Sequence, residues 1–298
     1  MTGAAPVLAL TGPIVLAVLC GAVLHASWNA LIKSGKDKQL DTALIHSLGV
    51  LFALPLVLWT GPPDRAAWPY IAITTVVHLG YYIALAGAYK HGDLGLTYPV
   101  MRGTAPLLVA MGSFTFIGES ISALAWAGVA AICAGVLTLG LSRNALHTAP
   151  GDEARRRTAL RFALTNACII ALYTVVDGLG VRASGNATAY VATLFLMDGI
   201  PYMALVLWQR GAGRGDALRY MAGRWKIAVI GTMASIGSYG IALWAMTRAP
   251  VAAVAALRET SVLFAALLGT VLLGERFGWQ RAGGTVVILG GVMLLRFG

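Results

Sequence analysis

Charged residues are scarce in this chain of 298 residues. Only 11% of positions carry Asp, Glu, Lys or Arg, against roughly 25% in a soluble domain. That shortage excludes a soluble enzyme and a large soluble domain. Disorder is excluded from the other side, because 58% of the residues are hydrophobic and disordered segments have few such residues. Cysteine is nearly absent too. Cys20, Cys133 and Cys168 lie inside apolar runs without metal-ligand spacing, so neither a disulfide framework nor a metal site follows, and all three read as buried packing residues. HExxH, GxSxG, a P-loop and paired acids at one site are also missing. Neither an enzyme nor ATP hydrolysis is expected, and no cofactor. The first basic residue is Lys33. With no charged region before it, the first apolar run is expected to stay as a span rather than to be cleaved as a signal.

What the chain has is apolar length. At about 20 residues per crossing, ten crossings use about 200 residues. The apolar runs mark ten spans: Ile14–Ile32, Asp41–Trp59, Trp68–Tyr89, Leu94–Phe116, Ser120–Leu141, Ala159–Val181, Ala187–Trp208, Trp225–Thr247, Pro250–Leu273 and Phe277–Leu295. A lone chain in lipid must satisfy its own backbone, and alternating β-barrel segments are absent, so helices are expected. The fold class is an all-α integral membrane protein of ten transmembrane helices. The polar stretch 142–158 is a linker between a first five-helix unit, 14–141, and a second, 159–298, with a short tail at 1–13.

The two units resemble each other. Shifting Arg102–Leu139 by 156 positions onto Arg258–Leu295 matches 11 of 38 residues, where chance gives about 4. The matches include Arg102 with Arg258, Thr104 with Thr260, and Gly118-Glu119 with Gly274-Glu275, which apolar bias does not explain. Because five is odd, two like units must enter the membrane from opposite sides, giving an inverted repeat of the kind transporters use for alternating access.

The net charge of +10 does not point to nucleic acid. The basic residues sit at the edges of apolar runs, not in a polar stripe interleaved with aromatics. Sixteen flank odd-numbered connections and four flank even-numbered connections or the C-terminus. The positive-inside rule then places the odd connections in the cytoplasm and both termini outside.

Three segments carry a family likeness. They are His25-Ala-Ser-Trp-Asn-Ala-Leu-Ile-Lys33, the stretch Gly87–Gly118 leading to Gly118-Glu119, and Glu259–Gly274-Glu275 followed by the Gly-rich Gly284–Leu295. By these the chain resembles the EamA-like branch of the drug/metabolite transporter superfamily over nearly its whole length. The resemblance implies a ten-helix inverted-repeat exporter of small metabolites, with a central cavity, in the bacterial inner (plasma) membrane. Its partners would be a small-molecule substrate and the lipid bilayer, and two repeats in one chain are compatible with a monomer. The chain departs from the related four-helix multidrug transporters in having no Asp or Glu in its first span. It also departs from the termini-inside arrangement common in the family.

Charges inside spans are costly and mark candidate sites. Arg102 and Arg258 lie about eight residues into spans four and nine, roughly 12 Å deep, and approach the midplane from opposite sides. Together they suit a carboxylate, phosphonate or phosphate; the alternative is that each pairs with a protein carboxylate. Glu259 and Asp198 are the candidates for proton coupling, Glu259 also being a possible partner for Arg102. Asp177 is near a helix end and could reach water. His25, Trp28 and Asn29 share one helix face, as do His78, Tyr81 and Tyr82, and Ser235, Ser238 and Tyr239, while Tyr98 stands one turn before Arg102. These faces line a cavity or bond neighbouring helices. His46 reads as packed near a helix start. Pro99, Pro106 and Pro201 interrupt helices as hinges or kinks. Ala127, Ala131 and Gly135 form a small-residue packing face, and Glu119 and Glu275 cap the helices they precede.

The reading that follows is a secondary-active carrier, an exporter of a small polar metabolite, amino-acid-like or anionic, working by alternating access. The alternative is a flippase for a lipid carrier, or, further off, a membrane protein without transport activity, with a channel separated from a carrier by saturable counterflow.

Overall fold

A computed structural model describes residues 8–91, 94–141, 153–273 and 278–298. Eleven α-helices occur among them: α1 Gly12–Lys33, α2 Lys38–Thr60, α3 Trp68–His91, α4 Leu94–Gly112, α5 Ala123–Gly140, α6 Glu153–Ala183, α7 Ala187–Arg210, α8 Arg214–Met246, α9 Val251–Arg258, α10 Ser261–Leu273 and α11 Trp279–Phe297. Among the described residues, eight helical stretches are long and apolar enough to cross a membrane, one of them the run Ala187–Met246 that holds both α7 and α8. Exposed tryptophans ring the two ends: Trp59 and Trp68 at one, Trp208, Trp225 and Trp279 at the other. That is where amphipathic rings settle at a bilayer surface.

Local chemistry sets the helix ends. Asp37 caps α2 by accepting from the Leu40 amide, Ser122 caps α5 through Ala125, and Asn186 caps α7 through Thr188 and Ala189. These side chains take up amide donors that a helix start leaves open. Gly118, at φ 74°, ends the π turn Ser113–Ile117 that continues α4, a conformation that suits glycine.

Several expectations change. The span expected at Pro250–Leu273 is two helices, broken at Glu259 and Thr260. There the amides of Glu259 and Thr260 reach back three residues, to Ala256 and Leu257, tightening the helix into a 3₁₀-like turn. Conversely, α4 runs through Pro99 and Pro106, and α7 through Pro201. The discontinuity is beside the buried charges, not at the prolines. α8 begins at Arg214, eleven residues before the expected Trp225. Its polar first turns are held because Ala217 and Met221, four apart, bury against Leu40, Ala43, Tyr202 and Val206. α6 begins at Glu153, inside the expected linker; the linker's residues 142–152 lie outside the described residues. Cys133 is buried, but Cys20 and Cys168 are exposed on the helix surface.

Most of the principal packing pairs join the first half of the chain to the second, with α4 on α5 as a pair within the first half. α1 packs on α8 and α10, α6 on α3 and α4, α2 on α7, and α5 on α11. The α5–α11 seam is built on glycines. A Cβ on Gly128 would stand 2.8 Å from the Gly291 carbonyl, and one on Gly135 would stand 2.9 Å from that of Gly284. Each contact is reciprocal: a Cβ on Gly291 meets the Gly128 carbonyl and one on Gly284 meets that of Gly135. The face is Gly128, Ile132, Gly135 and Leu139. Ala127 is exposed and Ala131 only half-buried, which corrects the face expected through those two alanines.

Candidate functional site

The broken helix brings its charges to the middle of the bundle. Arg102 on α4 and Glu259 at the α9–α10 break form an ion pair with Nε 2.8 Å from Oε2. Arg102 Nη2 also donates to His25 Nε2 on α1, at 3.3 Å. Both members of the pair are buried. Removing two charges from water is costly unless they are well paired, so the pair ties α1, α4 and the α9–α10 turn together. Glu259 faces the guanidinium as an ion pair whose Nε and Oε2 are not aligned as a hydrogen bond, and His25 takes a bond from Nη2.

Arg258 behaves differently. Adjacent residues on a helix face different neighbours, and its guanidinium lies over the Tyr239 ring on α8, 5.3 Å from the centroid. It has no ion pair among the described residues. A guanidinium lying over an aromatic face leaves its in-plane N–H groups for other partners. Arg102, Pro106, Tyr173, Thr174, Arg258 and Glu259 surround a cavity of about 10 Å³, space for roughly one water.

Two further carboxylates lie nearby. Asp177 on α6 is fully buried and accepts three hydroxyl hydrogen bonds: from Thr74 on α3 at 2.7 Å, from Tyr190 on α7 at 2.8 Å, and from Tyr239 on α8. It is the hub of four helices and does not reach water as expected. Asp198 on α7 is hydrogen-bonded through Oδ2 to His78 Nδ1 on α3, while its buried Oδ1 has no partner.

A connected set of rings joins these groups. His78 packs edge-on against Tyr173, with centroids 4.7 Å apart; Tyr173 meets Tyr81, Tyr81 meets Tyr82, and Tyr82 stacks on Tyr202 at 3.8 Å. His46 contacts Tyr82, Tyr202, Phe195 and Trp28, and Trp28 contacts His25. His25, Trp28, His46, His78, Tyr81 and Tyr82 thus belong to one aromatic wall. Asn29 instead donates to the His25 carbonyl of its own helix. Tyr98 packs between two apolar clusters near Met101. Ser235 and Ser238 are buried on α8.

Sequence reasoning missed Tyr173, which touches both the cavity and His78. Its signal was available: Tyr173 and Asp177 are four apart, the spacing that singled out Tyr98 and Arg102. It also misplaced Glu119. Its carboxylate pairs with Arg182 at 2.5 Å and accepts from the Val251 amide at 2.8 Å. Arg182 in turn donates to the carbonyls of Met246 and Ala249. Glu119 therefore caps α9, while Ser122 caps α5. Glu275 lies outside the described residues. Among the described residues, no group of three or more His, Cys, Asp or Glu could hold a metal ion.

The profile of the EamA-like transporter family matches the chain twice, at residues 12–141 and at 157–297. No curated protein matches. A solved structure, described only as "Crystal structure of protein", has a TM-score of 0.72 and 18% identity over 96% of this chain and 96% of that one; at this identity it shows a shared fold.

Proposed function

We propose, on the premise that the chain belongs to the EamA-like transporter family, that it is a secondary-active carrier exporting a small polar metabolite with an anionic group. The fold would be ten transmembrane helices in two inverted five-helix repeats, with α9 and α10 forming one broken span. The double family match supports this, and so does the packing. The halves correspond through α1 with α6, α3 with α8 and the span of α4 with that of α9 and α10. Exchanging them turns the contacts of α1 with α8 and α10 into those of α6 with α3 and α4. In the seam, Gly128 meets the counterpart of Gly135, and Gly135 the counterpart of Gly128.

The carrying observation is Arg258: a cation at the central cavity, stacked on Tyr239 and without a carboxylate partner among the described residues. In this reading a substrate anion binds the in-plane N–H groups of Arg258 first. It then competes with Glu259 for Arg102, and that exchange loosens the contact between α4 and the α9–α10 turn. Glu259, once displaced, and Asp198, with its unpartnered oxygen beside His78, are the carboxylates that take a proton as the cycle proceeds. His25, Trp28, Asn29, Tyr82, Tyr98 and Tyr239 line the route that opens. The carrier works as a monomer in the bacterial inner membrane, its odd-numbered connections cytoplasmic and its termini outside.

Counterflow in liposomes tests this. Vesicles preloaded with benzoate or methylphosphonate should accumulate the labelled probe with saturation. Arg258→Gln should abolish the accumulation while still folding. Counterflow of tetraphenylphosphonium alone, or anion flux unchanged in Arg258→Gln, overturns the reading.

A further inference from the structure

Asp177 raises a question that packing alone does not answer. A fully buried carboxylate is costly, and here its three contacts are neutral hydroxyls, Thr74 and Tyr190 on Oδ1 and Tyr239 alone on Oδ2. Tyr239 is the donor whose ring also meets a cation: its hydroxyl is held by Asp177 while Arg258 lies over the ring at 5.3 Å. A phenol donating to a carboxylate is polarised toward phenolate, because bonds in a chain strengthen one another in a low-dielectric interior. The ring becomes richer in electrons and a better seat for a guanidinium. Thr74 and Tyr190 donate to Oδ1 and Tyr239 to Oδ2, so the Tyr239 contact has an oxygen of its own.

We propose that Asp177, acting through Tyr239, is the positioning residue that holds Arg258 at the central cavity. The Asp177 charge anchors the hydroxyl, the anchored ring supports the guanidinium, and the in-plane N–H groups of Arg258 are thereby presented to an anion. The role of Arg258 as anion receptor rests on the function proposed above; its placement by Asp177 and Tyr239 does not.

The test reads Arg258 directly in the full chain, in lipid nanodiscs. Phenylglyoxal modifies accessible, mobile arginines, and the extent at Arg258 is mapped by peptide mass spectrometry. Tyr239→Phe, which keeps the ring and loses the anchor, and Asp177→Asn, which loses the charge and one of the two acceptor oxygens, should each raise the rate about 5-fold. Thr74→Val and Tyr190→Phe remove other hydroxyls from the same carboxylate and should leave the rate within about 2-fold. An unchanged rate in Tyr239→Phe and Asp177→Asn overturns the proposal, as does an equal rise in all four variants, the mark of general loosening. Benzoate binding supplies the second readout. Tyr239→Phe should weaken it about 5-fold in the native background and less than 2-fold with Arg258→Gln; equal losses in both backgrounds overturn the proposal. If the modification pattern holds while no variant, nor the native chain, binds benzoate, the positioning role stands and the anionic substrate falls.

Discussion

Arg102 Nε lies 2.8 Å from Glu259 Oε2, and both side chains are buried. The pair joins a residue of the first repeat to the neighbour of its own repeat counterpart, since Arg102 aligns with Arg258. Each half thus contributes one arginine, and the acid beside one of them neutralises the other. The centre is left with an asymmetric arrangement: Arg102 engaged, Arg258 open to a ligand.

That asymmetry predicts an unequal mutant pattern. Arg102→Met leaves Glu259 buried without its cation, and Glu259→Met does the converse. Either should cost about 3–5 kcal/mol. The double variant Arg102→Met/Glu259→Met should recover most of that loss, because it removes both desolvation penalties. Thermal unfolding in detergent measures it, and additive losses in the double variant would show that the two charges do not act as a pair.

The α5–α11 seam predicts a contrast within a single helix. Gly284→Ala and Gly291→Ala would each place a methyl 2.8–3.0 Å from the backbone of α5. Forcing the helices apart should cost about 1–3 kcal/mol. At their immediate neighbours Gly283 and Gly290, an added methyl would meet nothing within 4 Å. Gly283→Ala and Gly290→Ala should therefore be neutral or stabilise by up to about 1 kcal/mol, the gain of alanine over glycine in a helix. The same unfolding assay separates the two pairs.

Glu119 predicts a coupling between three helix ends. Its two oxygens serve different partners, the Arg182 guanidinium and the Val251 amide. Glu119→Ala should cost about 2 kcal/mol, the loss of a charge-assisted bond in a partly buried site. In an Arg182→Ala background the same change should cost about 1 kcal/mol, what remains being the cap on α9. Equal costs in both backgrounds would mean that the ion pair contributes nothing.

The features that can be read from the sequence and those that cannot differ in where their causes lie. The apolar runs and their punctuation mark where helices fall, because membrane length and backbone satisfaction act on the chain locally. The repeat is visible through Arg102, Arg258 and the glycines, and the pairs Gly128/Gly284 and Gly135/Gly291 stand among its matches. The seam itself is not visible in the same way. The four-residue spacing of Ala127, Ala131 and Gly135 describes a face of small residues, but not which face meets a neighbour. The break at Glu259 is marked only by the polar residues Arg258–Ser261; no proline or glycine stands there, and polar residues inside a span do not by themselves say that the helix ends. Asp177 can be identified as an acid within a span, but not as a hub, because its three donors come from other helices. Glu119 reads as a cap for its own helix for the same reason, its real partners lying beyond residue 180.

The charge bias gives the remaining prediction, the orientation of the chain in its membrane. Ser184 and Asp64 lie together at one end, where the Asp64 amide donates to the Ser184 carbonyl. Asp216 lies at the other, in the helical extension of α8 that carries Arg214, Arg219 and Arg224. The background is a variant with Cys20, Cys133 and Cys168 replaced by alanine, since two of these thiols are exposed. An impermeant maleimide applied to intact cells should label Asp64→Cys and spare Asp216→Cys, which should react only after the membrane is opened. The rule rests on basic residues resisting translocation, and sixteen of them flank the odd connections. The reverse labelling would place the basic extensions of α6 and α8 outside. The Arg258 site, about eight residues into its span, would stay where it is in either orientation.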